Sequence, residues 1–198
     1  MPLSDLIIVR RGENRAQCTI QPLRGTPGLD FLLYPLRQKP DLSRYLLLAP
    51  GAPPLTTADA CRPLLLLDAN WRHAAKMRKA IEPVEARSIP LGWRTAYPRR
   101  SKIHTDPDTG LATVEALFAA ICVLGRRDDS LLRLYPWRDA FLALNRDFME
   151  PEESRLQIQE SGEAAAPSGQ RWLREEETAQ PRAGGYNSSD AERSGPQR

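Results

Sequence analysis

Asp68 and Trp71 stand three residues apart in the run 64 to 77, LLLLDANWRHAAKM, and their types and placing suit chemistry. The aliphatic run before Asp68 suits a buried strand, and the spacing after it suits a helix. The carboxylate therefore falls where a strand hands over to a helix. Ligands in parallel α/β sheets usually sit at the carboxyl ends of strands, which points to residues 49 to 51 and 68 to 71. An Asp at such a junction could serve as general base or orient a substrate edge, and it could equally cap the helix. By burial statistics alone, Trp71 reads as a core aromatic on the first helical turn. Glu115 opens a later helix, where an acid complements the helix dipole as a structural residue. Arg94, Arg99, Arg100 and Lys102 surround Tyr97, a pattern suited to phosphate contacts with base stacking. A plain solvated loop is its competitor. Arg72, Lys76, Arg78 and Lys79 add a second basic patch after Asp68.

Charge supports a polyanionic partner. The first 150 residues carry 22 basic against 16 acidic residues, whereas residues 151 to 198 carry six against nine. Such a balance speaks to encounter and non-specific affinity rather than to chemistry, and a solvated basic surface explains it equally. Cys18, Cys61 and Cys122 are far apart and odd in number, with only His73 and His104 to complete a shell, so no metal site is expected. There is no GxGxxG, no Walker loop and no GxSxG. Cysteine usage and an N-terminus without a signal-like pattern lead to the expectation of a cytosolic protein. The apolar runs are too short to span a bilayer, so no membrane role is expected.

These residues need elements to position them. Residues 6 to 9, 31 to 34, 45 to 49 and 64 to 67 are short apolar runs suited to buried strands. Helical spacing follows Asp68 until Pro83 would end it. The clearest helix runs from 111 to 124, where Leu111, Val114, Leu117, Phe118, Ile121 and Leu124 share a stripe and Gly125 is placed as the stop. A further helix is expected over 137 to 148, with Ala140, Phe141, Leu144 and Phe148 on one face. Strands alternating with helices predict an α/β fold, a mainly parallel sheet with helices on both faces. Residues 1 to 150 read as one folded domain. From 151 to 198 aliphatic periodicity is missing, which predicts a disordered polar tail.

Three stretches in order carry a family resemblance: LLLAPGAPPLTTAD (46 to 59), LLLLDANWRHAAKM (64 to 77) and GLATVEALFAAICVLG (110 to 125). They resemble the Tsr3/DTW family, in which a strand leads into a loop like LSPxGxxxLSPAD. A second strand of that family ends in Asp-x-x-Trp, and a later helix opens with a motif like LSxVEA. Cys18-Thr19 resembles the family's early CT or CS dipeptide, and the ending 141 to 145, FLALN, resembles its FLELN. The motif DANW departs from the DCSW of the Tsr3 branch, and residues 72 to 77 read more like the DTW branch. Residues 95 to 102 replace the usual AANPVNYG loop.

The resemblance implies a SPOUT-like fold with a C-terminal knot forming an S-adenosylmethionine pocket. It implies transfer of the 3-amino-3-carboxypropyl group to a uridine or modified pseudouridine in RNA, with small-subunit ribosomal RNA as the expected substrate and transfer RNA as the alternative. A SPOUT-type RNA methyltransferase and a non-catalytic RNA-binding assembly protein are the competing functions. Under this resemblance Asp68 is the expected general base, and Trp71 is the apolar wall that buries the cofactor's methyl group. Thr19, Leu48, Leu67, Trp71, Leu91, Ala96, Leu111 and Thr113 are the expected cofactor contacts. Arg72, Lys76, Arg94, Arg99, Arg100 and Lys102 are the expected RNA contacts.

Overall fold

Alternating side chains decide the architecture. In strand β1, Asp5–Arg10, Ile7 and Val9 turn to one side while Leu6 and Ile8 turn to the other, and all four are buried. A strand buried on both faces needs cover on both. The structure, a computed structural model, describes residues 4 to 12, 18 to 98 and 110 to 149. Its strands are β1, β2 (Leu29–Tyr34), β3 (Leu46–Leu48), β4 (Leu64–Asp68) and β5 (Ala86–Arg87). They form one five-stranded sheet in the order β2-β1-β4-β3-β5, with every pairing parallel.

The helices divide between the faces. Met77 and Ile81 of α1, Trp71–Ile81, pack with Leu6, Ile8, Leu47 and Leu65. On the other face Val114, Leu117, Phe118 and Ile121 of α2, Thr113–Val123, join Ile7, Val9, Leu46, Leu64 and Leu66. Phe141 of α3, Arg138–Leu144, completes that second core. Each of these buried side chains contributes about 1.5–3 kcal/mol, an upper estimate set by the unfolded reference. The expected parallel α/β sheet with helices on both faces is thus what forms.

Helix ends follow local chemistry. α1 stops at Ile81 just before Glu82-Pro83, where the proline disfavours helical backbone. Past α2, Gly125 takes φ +70°, and the Gly125 and Arg126 amides donate to Cys122 and Ile121 at 3.0 and 2.8 Å. The single helix expected over 137 to 148 is instead two, α3 and α4 (Arg146–Met149), separated at Asn145. Among the described residues no helix is long and apolar enough to cross a membrane.

The expected SPOUT-like fold with a C-terminal knot requires correction. The described residues show an open five-stranded parallel sheet, and no knot is shown. Physically, a motif resemblance specifies local segments rather than the threading of the chain between them. The expected disordered tail, 151 to 198, lies outside the described residues.

Candidate functional site

Asp68 ends β4, level with Val9 of the neighbouring β1, and is only 8% exposed. Its two oxygens are held by different parts of the chain. The Thr113 hydroxyl donates to Oδ1 at 2.6 Å, and the Cys18 thiol donates to Oδ2 at 3.1 Å. Next to these, the Thr19 hydroxyl oxygen accepts a long bond from the Val114 amide at 3.4 Å. Segments 45 and 50 residues from Asp68 along the chain therefore close on one carboxylate. Burial, followed by the charge and hydrogen bond of Asp68, pushes the Cys18 thiol up to about 11. It is thereby kept as a neutral donor rather than a thiolate nucleophile.

Capping belongs to another residue. Asn70 is the N-cap of α1, its Oδ1 accepting from the His73 amide at 3.0 Å. The capping alternative for Asp68 is corrected accordingly, because Asn70 holds the first-turn amide while the Asp68 carboxylate faces Cys18 and Thr113. The core-aromatic alternative for Trp71 is corrected as well: the residue is 36% exposed and belongs to neither core.

The other expected cofactor contacts separate by position. Leu48, Ala96 and Leu111 are half-buried and pack, with Cys18, against the α2-side core. Leu67 packs with the α1-side core, so its side chain is not brought together with that group. Leu91 is 93% exposed. On α1, Arg72 and Lys76 are exposed, and so is Arg94 in the loop after β5. Arg99, Arg100 and Lys102 lie outside the described residues. A depression of about 380 Å³ lined by Arg127, Asp139, Leu142, Ala143, Arg146 and Met149 includes none of the expected site residues.

Sequence reasoning did not foresee how firmly the 93 to 97 loop is held. Trp93 is buried with Phe141 and Phe148, at ring separations of 6.1 and 5.6 Å. Asn145, fully buried, accepts from the Arg94 amide at 2.7 Å and donates to the Arg94 carbonyl at 2.8 Å. Glu115, also fully buried, accepts from the Thr95 hydroxyl at 2.6 Å and from the amides of Ala96 and Ala112 at 2.8 Å. A fourth bond comes from the Tyr135 hydroxyl at 2.8 Å. Thr95 and Tyr135 carried no spacing signal, since their partner Glu115 is 20 residues away in sequence.

No protein-family model matches the chain, and no curated protein matches it. A solved structure does: the SAM-dependent rRNA:acp-transferase Tsr3 from Vulcanisaeta distributa, at 25% identity and a TM-score of 0.58, covering 74% of this chain and 81% of that one. The likeness agrees with the α/β fold and gives no support to the SPOUT assignment, the transfer-RNA branch or the cytosolic location. At the level of fold and general function, the chain is similar to that S-adenosylmethionine-dependent ribosomal RNA transferase.

Proposed function

We propose that this chain transfers the 3-amino-3-carboxypropyl group of S-adenosylmethionine to a uridine-type base in RNA, with small-subunit ribosomal RNA as the substrate. The observation that carries the reading is the closure of the 18 to 19, 68 to 71 and 111 to 115 segments on the Asp68 carboxylate. The likeness to the Vulcanisaeta enzyme supports it at the same general level. Residues 1 to 150 would form the catalytic domain.

The side chains present fit such a cofactor. Leu48, Ala96 and Leu111 offer half-buried apolar surface, Thr19 and Thr113 offer hydroxyls, and the exposed Leu91 and Trp71 offer surface for an adenosine or a sulfonium. An indole face and a carboxylate both attract a cationic sulfur. When bound, S-adenosylmethionine supplies an electrophilic γ-carbon whose bond to sulfur breaks, leaving methylthioadenosine. Trp71 would cover the methyl side and so leave the γ-carbon in line for the base. A uracil-type N3 attacks poorly until its proton is removed or shared, and Asp68 would accept that proton. Leu67 would contribute through its backbone. Arg72, Lys76 and Arg94 would meet the RNA phosphates, with Arg99, Arg100 and Lys102 as further contacts.

The test supplies cofactor labelled either on the methyl or on the methionine carboxyl, together with RNA. Carboxyl label in the RNA and methylthioadenosine in solution are expected. Methyl label in the RNA with S-adenosylhomocysteine released would assign methyl transfer instead. Bound RNA with neither label incorporated would leave a non-catalytic RNA-binding protein.

A further inference from the structure

Resting on that reading, we propose that Glu115 and Asn145 are positioning residues that clasp the 94 to 97 loop against the start of α2, setting the cofactor-facing wall beside Asp68. A buried carboxylate gives up its hydration, and only donors on its lone pairs offset that loss. Glu115 fills its own with four donors, two of which, the Thr95 hydroxyl and the Ala96 amide, belong to the loop. An acid needed only for the helix dipole would serve as well in water. Asn145 acts on the same loop from the C-cap of α3. Its side chain holds both the amide and the carbonyl of Arg94, as a neighbouring strand would, while also donating to the Phe141 carbonyl at 2.8 Å.

The clasp reaches the reacting centre through two adjacent residues. Glu115 holds the Ala112 amide, and the next residue, Thr113, donates to Asp68. Shifting the loop would leave Glu115 and Asn145 with unfilled buried bonds, a cost that water cannot offset there. Ala96 and Arg94 are therefore held in register with Asp68. A purely structural clasp would change stability alone; a positioning clasp also sets cofactor affinity.

Glu115→Gln would turn an amide toward buried donors and could fail to fold, so the donors are altered instead, in the full chain. Thr95→Val and Tyr135→Phe each remove one hydroxyl from Glu115, but only the first frees the loop. S-adenosylmethionine affinity is read by calorimetry, and loop fixation by hydrogen exchange at the Ala96 and Arg94 amides. Thr95→Val is expected to weaken affinity by about tenfold and to speed exchange at Ala96, with Thr95→Ser restoring both. Tyr135→Phe is expected to lower the melting temperature while holding affinity within about twofold. Native affinity in Thr95→Val, or an equal loss in Tyr135→Phe, overturns the proposal. Failure of the unaltered chain to bind S-adenosylmethionine overturns the functional reading instead. In that case unchanged exchange at Ala96 in Thr95→Val overturns the clasp, and faster exchange supports it.

Discussion

Among the described residues Asp68 has one donor on each oxygen, which leaves a lone pair on each for a substrate. Replacing it with Asn retains an acceptor for Thr113 and removes the charge. Because Asn70 caps α1, the substitution leaves that helix end alone. Turnover should fall by about 10² to 10⁴. Thermal unfolding should shift by only a few degrees, as expected for losing a bond worth about 1 kcal/mol. Turnover assays beside a melting curve decide the matter, and full activity in Asp68→Asn would reduce Asp68 to a brace for Cys18 and Thr113. At this scale the sequence is partly legible. Cys18, Asp68 and Thr113 stand out because they lie in motifs, but their contacts span 50 and 45 residues and no local pattern marks which of them meet. Glu115 reads from the sequence as a helix-dipole residue, and its two loop partners are invisible without the fold.

Among the elements, strands with continuous aliphatic runs and helices with a clean stripe are legible, since burial on both faces or on one leaves a periodic trace. β5 escapes because it is two residues long and carries Arg87, which pairs with Glu85 at 2.6 Å and Asp59 at 3.3 Å. The break between α3 and α4 escapes because the apolar face runs through it, while Asn145 turns inward to hold Arg94. The turn before Trp93 depends on a different constraint. Gly92 takes φ +109°, and a Cβ there would run into the Phe148 ring. Gly92→Ala should therefore cost about 1–3 kcal/mol from backbone strain plus a similar amount from overlap. Calorimetric or optical melting would show a fall of several degrees. The Gly92→Ala, Phe148→Ala double variant should be more stable than the two single losses added together, since it removes the overlap. Strict additivity would mean that Phe148 does not cover Gly92 in solution.

For the whole molecule, the paired cores explain why fold class is legible while the chain's path is not. Buried runs call for two helical layers, but nothing local specifies threading, and the knot inferred from motifs had no physical counterpart in periodicity. Among the described residues, the α2-side core runs on to Phe148 and Met149, and the sequence beyond 150 lacks aliphatic periodicity. Segments 151 to 198 bring nine acidic and six basic residues, whereas the first 150 carry 22 basic and 16 acidic. A chain ending at Glu150 is accordingly expected to keep the full chain's melting temperature and S-adenosylmethionine affinity. Its RNA affinity should rise by about twofold or more at low salt, because net negative charge is removed from a basic body. The gain should vanish near 1 M salt, where the screening length is about 3 Å. Titrations of both chains with one RNA across a salt series, beside cofactor calorimetry, make the comparison. Loss of cofactor binding on truncation would place part of the catalytic domain beyond residue 150, and a salt-independent change in RNA affinity would mean that the tail acts through contacts other than its charge.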